Sequence, residues 1–263
     1  MTAILNFKAG RKPMGKAPAT GVLALFLAFP LHAATVTLNP AADTFVTTGP
    51  TGAFSGNNYG GAGALAVAAA GLTQGEFQSV LRFDLAAARA SFDTQFGAGQ
   101  WSIQSLSLSL AATSGNTFFN SSAAGQFGIV WMQNDSWIEG TGKPTAPATT
   151  GITFASLPSF SGGSDESLGT FSFAGGTSGV ATYNLGLTAG LLADASAGNL
   201  TSLRLAAADS TVSFLFNSTN NPTPSVRPLL SVVAVPEPHA FSLLVAGAIF
   251  LGSVRRRQGR QRG

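Results

Sequence analysis

The sequence predicts an all-β protein, and three observations carry that expectation. Between residues 35 and 235, about ten short apolar stretches alternate with runs of Gly, Ser, Thr, Asn and Pro. In Ser105-Leu106-Ser107-Leu108-Ser109-Leu110 the alternation is strict, so the leucines share one face of a strand and the serines the other. A helical pattern is confined to one turn, Thr188–Asp194, with Thr188 placed to cap it and Gly198 in the loop that follows. Many short strands separated by turn residues describe a sandwich or jelly roll, not a helical or doubly wound fold.

Taken in order, strands are expected at Thr35–Leu38, Ala64–Ala68, Ser79–Leu85, Ser105–Leu110, Phe127–Gln133, Gly169–Phe173, Val180–Leu185, Ser202–Ala206, Thr211–Asn217 and Leu229–Val235. In Ser79–Leu85 the parity sends Leu81, Phe83 and Leu85 to the core, while Arg82 and Asp84 share the other face. Arg82 is expected to pair with Asp84 or to reach Glu139. Phe127–Met132 is apolar on both parities, as a strand covered on both faces should be. The stretch 140–168, rich in Pro and Gly, reads as a long surface excursion with one short strand at Ile152–Ala155. No domain linker and no repeat of fixed period interrupts the body.

Composition removes several functions. The 263 residues contain no cysteine, which excludes disulfides, thiol nucleophiles and cysteine–metal sites. The two histidines, His32 and His239, lie in the terminal segments, so the body lacks the usual partner of a serine nucleophile. The formal net charge of +3 divides unevenly. Residues 35–235 hold five basic residues against ten acidic ones, a balance of −5, and the remaining basic residues cluster at the two ends. A mildly acidic body with scattered cations offers no footprint for a phosphate backbone, so nucleic acid is excluded as a partner.

The ends read as addresses. Residues 1–34 combine Lys8, Arg11, Lys12 and Lys16 with the apolar Gly21–Leu31 and small residues at Ala33 and Ala34, the layout of a secretory signal helix cleaved after Ala33 or Ala34. At the other end Pro236-Glu237-Pro238, an uncharged apolar span at Ala240–Val254 and Arg255-Arg256-Arg257 follow in order. The prolines are expected to stop regular structure, and the span to cross a bilayer as a transmembrane sorting helix with the arginines on the cytoplasmic side. Residues 236–263 closely resemble the PEP-CTERM sorting signal of Gram-negative bacteria. The resemblance implies an exported protein, transiently anchored in the inner membrane. It would be processed by an exosortase-type membrane protease and then left in the cell envelope or outside the cell, in organisms that commonly make exopolysaccharide.

A second resemblance covers residues 40–235. Ala42-Asp43-Thr44-Phe45-Val46, Asn57-Asn58-Tyr59-Gly60, Val80-Leu81-Arg82-Phe83-Asp84-Leu85, Trp137-Ile138-Glu139 and Arg227-Pro228-Leu229-Leu230-Ser231-Val232 follow one another as in the DNRLRE-type, carbohydrate-binding-module-like domains of bacterial secreted proteins. It implies a single jelly-roll-type antiparallel β-sandwich opening on a strand at Ala42–Val46. Some such domains bind polysaccharides.

A sugar site needs an aromatic platform and a few fixed polar groups. Tyr59 and Trp137, with Asn134, Asp135 and Glu139 as polar neighbours, are the candidates, and Trp131 reads as a core residue. Asp135 and Glu139 are also the carboxylates that a polysaccharide-degrading hydrolase or lyase would use, the alternative to a non-catalytic binder. Carboxylates and carbonyls near Asp43 or Asp165-Glu166 leave calcium open, but no calcium-loop spacing occurs, and no metal or other cofactor is expected.

Overall fold

The computed structural model describes residues 32–237. The segment up to residue 31, expected to be a secretory signal, and everything from Pro238 through the apolar span and the arginine cluster, lies outside the described residues. Among the described residues no helix is long and apolar enough to cross a membrane.

The body is mostly β, built as two antiparallel sheets with a common core. Eleven strands run in chain order: β1 (Ala34–Leu38), β2 (Ala42–Thr47), β3 (Ala64–Ala68), β4 (Phe77–Asp84), β5 (Trp101–Ala111), β6 (Gly125–Met132), β7 (Glu166–Phe173), β8 (Val180–Asn184), β9 (Leu200–Ala207), β10 (Ser213–Asn217) and β11 (Leu229–Pro236). The smaller sheet has the order β1-β11-β5-β8. The larger is β10-β3-β4-β9-β6-β7, with β2 along the length of β4. β3 meets β4 at only one register pair, Ala68 with Phe77. Where the ladder opens, the Ser79 hydroxyl donates to the Ala66 carbonyl at 2.8 Å and accepts from its N–H at 2.9 Å. A side chain thus replaces missing backbone bonds, as burial requires.

Alternation sets the core. Leu106, Leu108 and Leu110 of β5 face Leu81, Phe83, Phe127 and Ile129 of the larger sheet, and the intervening serines of β5 point away. Phe127 meets Tyr183, Phe214 and Phe216, the first two edge-on, with ring centroids 5.1–6.4 Å apart.

Several expectations need correction. The opening strand implied by the resemblance, β2, is present and raises the strand count from ten to eleven. A helix absent from the sequence reading, α1 (Ala86–Phe96), follows β4 directly. Its alanine-rich run carried the signal, with Ala88 and Phe92 buried one turn apart. The expected helical turn extends to α2 (Ala189–Ala197), which Gly198 closes in the left-handed conformation at φ 68°. Ile152–Ala155 forms no strand and leads into a 3₁₀ turn at Leu157–Ser159. Pro236 does not stop β11 early: it pairs with Trp101 as the last strand residue, where one missing donor is tolerated. Ala34 already belongs to β1, opposite Ala234.

Candidate functional site

The excursion between β6 and β7 is not a loose surface loop. Trp137, Ile152 and Leu157 fold back onto the outer face of the larger sheet and pack with Ala42, Val46, Val80 and Met132. Asn58 ties this segment down. Its side-chain nitrogen donates to the carbonyls of Glu139 (2.6 Å) and Ile152 (2.8 Å), and its oxygen accepts from the N–H groups of Gly60 (3.1 Å) and Gly142 (3.3 Å). All four hydrogen-bonding positions of one carboxamide are used. Gly140, at φ 77°, passes so close that a Cβ there would strike the Asn58 oxygen.

Arg82 holds the start of the excursion. Its Nη1 donates to the carbonyls of Asp135 (2.8 Å) and Trp137 (2.6 Å), and the guanidinium lies over the Trp137 ring, 4.8 Å from its centroid. The expected pairing with Asp84 or Glu139 is not what forms. Asp84 instead accepts the N–H of Ala86 at the start of α1, and Arg82 acts on Glu139 only through its field.

The predicted sugar-site residues do not converge. Trp137 is 1% exposed, and its Nε1–H donates to Ser202 Oγ at 2.9 Å. With one side under Arg82 and the rest in the core, its ring has no face for a pyranose. Trp131 is buried as well and donates to Asp194 at 2.8 Å. Asn134 folds back on its own turn, accepting from the N–H and hydroxyl of Ser136. Asp135 and Glu139 look to different neighbours. Burial raises the pKa of Asp135, offset by Ser202 and Arg82, whereas Glu139, also raised by burial, accepts the N–H of Asp43 at 3.2 Å. They do not form a facing pair of carboxylates.

Two of these residues reach clefts, and not the same one: Asn134 lines a small polar hollow with Ser161 and Asp165, and Tyr59 a larger aromatic one. The loops after β2 and β5 and the outer face of β3 and β10 enclose a groove of about 650 Å³. Its floor is Ala64, Ala66 and Leu215, and its walls carry Phe45, Phe54, Tyr59, Phe77, Phe118 and Phe119. Tyr59 stacks on Phe45 with centroids 4.7 Å apart, and Phe77 meets Phe119 edge-on at 4.9 Å. Phe54 and Phe118, 43% and 62% exposed, stand at the rim. Polar groups are few: Thr47, Gln74 and Asn116, whose oxygen accepts the Phe118 N–H and leaves its NH₂ as a donor. No charged side chain lines it.

Apart from Tyr59, the sequence reading missed these aromatics. The signal was present in Phe54 and Phe118-Phe119, large apolar residues set in stretches otherwise made of Gly, Ser, Thr and Asn. Such residues have no strand face to explain them. The arrangement is that of a β-sandwich with an aromatic-lined groove on an outer sheet face. No protein-family model matches the chain, and no curated protein matches it.

Proposed function

We propose that this chain is an exported, non-catalytic protein of the cell envelope or extracellular matrix, with a DNRLRE-type jelly-roll body that holds a neutral glycan in the aromatic groove. The observation that carries the reading is that groove: six aromatic rings and a handful of amide and hydroxyl groups, with no charge. The C–H face of a pyranose packs on such rings, while Gln74, Asn116 and Thr47 reach hydroxyls. Its volume falls within the range of ligand sites. The lining holds aromatic rings and neutral polar groups and no carboxylate, histidine, lysine or arginine, which favours a binder over the alternative, a secreted polysaccharide-degrading enzyme.

Export rests on the PEP-CTERM-like tail, Pro236, Glu237, Pro238 and Arg255, Arg256 and Arg257, and on the signal-like N-terminus. In this reading the tail is the substrate of an exosortase-type protease, the inner membrane is a transient anchor, and exopolysaccharide is the lasting partner. A glycan array and a reducing-sugar and lyase assay test it together. The expected result is retention of neutral glycans, lost in Phe118→Ala and Tyr59→Ala, with no turnover. Glycan cleavage abolished by Glu139→Gln, or binding unchanged in both groove variants, would overturn it.

A further inference from the structure

The aromatic groove continues past its own wall. Across the Phe118-Phe119 ridge lies a second open hollow of about 380 Å³, and the linings of the two clefts share Gln74, Asn116, Phe118 and Phe119. The hollow differs in character. Beyond the ridge it is faced by Thr117, Asn120, Ser210 and Thr211, and no charged side chain lines it. The ridge itself is a fixed part of the fold. The hydroxyl of Ser213, buried at the start of β10, accepts from the Gln74 NH₂ at 3.0 Å and the Asn120 N–H at 3.3 Å, and donates to the Phe118 carbonyl at 3.4 Å. One donor and two acceptor positions are all that a hydroxyl has, and each is spent on holding the ridge. Asn116 Oδ1 takes the Phe118 N–H at 2.8 Å, and Asn120 Oδ1 the Ser122 hydroxyl at 2.7 Å. Neither carboxamide NH₂ has a partner among the described residues, and Asn116 stands where the clefts join, Asn120 in the hollow.

We infer that groove and hollow are one continuous site for a linear neutral oligosaccharide, which crosses the Phe118-Phe119 ridge and is held along several consecutive sugar residues. This rests on the glycan reading above and specifies its ligand as a chain, not a single sugar. Size is the first argument. A pyranose residue packed at protein density fills on the order of 200 Å³, so the groove has room for roughly three and the hollow for about one or two. The change of lining is the second. Rings in the groove take C–H faces, whereas past the ridge hydroxyls and carboxamides dominate, matched to sugar hydroxyls. A ligand that fits one cleft leaves the polar groups of the other in water, while a chain gains both sets for a single loss of translational and rotational freedom. Charge is the third. Beyond Ser210 a further hollow is edged by Glu76 and Asp209, and two carboxylates there oppose an acidic chain on the same path.

The test is titration calorimetry of the full chain with cello-, laminari- and malto-oligosaccharides of one to about six residues. In the series that binds, affinity should rise about tenfold or more from disaccharide to pentasaccharide and then level off. Ser210→Leu, which fills the hollow from an exposed position, and Asn120→Ala, which removes its carboxamide, should each weaken the pentasaccharide about fivefold to tenfold and leave the disaccharide unchanged. Phe118→Ala should weaken both ligands. A disaccharide bound as tightly as the pentasaccharide, or hollow variants that match wild type on the pentasaccharide, would overturn the extended site and leave the glycan reading standing. Silence in all three series overturns it as well, and the glycan array then decides whether the broader reading falls with it.

Discussion

Asp43 gives the sharpest check on the physical account. Burial pushes its carboxyl from 3.8 up to about 6, the repulsion of Glu139 adds to this, and hydrogen bonds from Thr219 only partly offset it. A carboxyl raised in the folded state binds its proton more tightly there than in the unfolded chain. Its contribution to stability is therefore fully present below the unfolded value near 3.8 and is lost as pH rises through about 6. The gap between 3.8 and about 6 corresponds to about 3 kcal/mol lost by pH 7.5. The substitution Asp43→Asn keeps the acceptor for Thr219 and puts a neutral NH₂ beside Glu139. Asp43→Asn should be more stable than wild type by up to about 3 kcal/mol at pH 7.5, with the difference closing as pH falls to about 3.5. Urea denaturation of both proteins across that range reads it directly, and the shared shifts of Asp135 and Asp194 largely cancel in the comparison, while the change at Glu139 belongs to the same coupled pair. A constant offset between the two proteins at all pH values, or a variant less stable at pH 7.5, would refute the reasoning.

Three further outcomes follow from packing. Trp137→Ala should cost about 3–5 kcal/mol in urea unfolding, because it empties a fully buried indole site and strands the Ser202 and Arg82 partners. Asn58→Ala removes four hydrogen bonds at once and should cost about 2–4 kcal/mol, with protease cleavage between residues 139 and 152 as the local readout. Gly190→Ala would drive a methyl into the Trp131 ring, and it should shift tryptophan fluorescence and destabilise by about 1–3 kcal/mol. By contrast, Phe118→Ala at the exposed rim should change stability by less than about 0.5 kcal/mol while removing its share of any glycan binding.

How far the sequence was legible varies by element. The serine–leucine alternation of β5 was readable residue by residue, because a strand with one wet face writes its own pattern. α1 was passed over although Ala86–Ala90 favours a helix, since its few apolar positions sit among strands on both sides. The expected sugar site failed for a different reason. Tyr59 is a candidate by residue type alone, and Asn134, Asp135, Trp137 and Glu139 by type and proximity along the chain, neither of which decides which way a side chain faces. Trp137 and Ile138 are neighbours, yet the first is 1% exposed and the second 69%.

By itself, then, the sequence determined the mostly β architecture, because strand period and turn residues are local properties; the reading of the two ends as addresses is an expectation drawn from equally local charge clusters and apolar spans. Only the tertiary structure decided which residues share a site. It drew Phe45, Tyr59, Phe77, Phe118 and Leu215 into one groove from five separate segments, and it set Asp43 beside Glu139 across 96 positions of chain. Those placements follow from the folding-back of the loops over the outer sheet face, held by Asn58 and Arg82. Contacts of that kind are settled by packing and hydrogen bonding over long sequence separations, which no short-range pattern records.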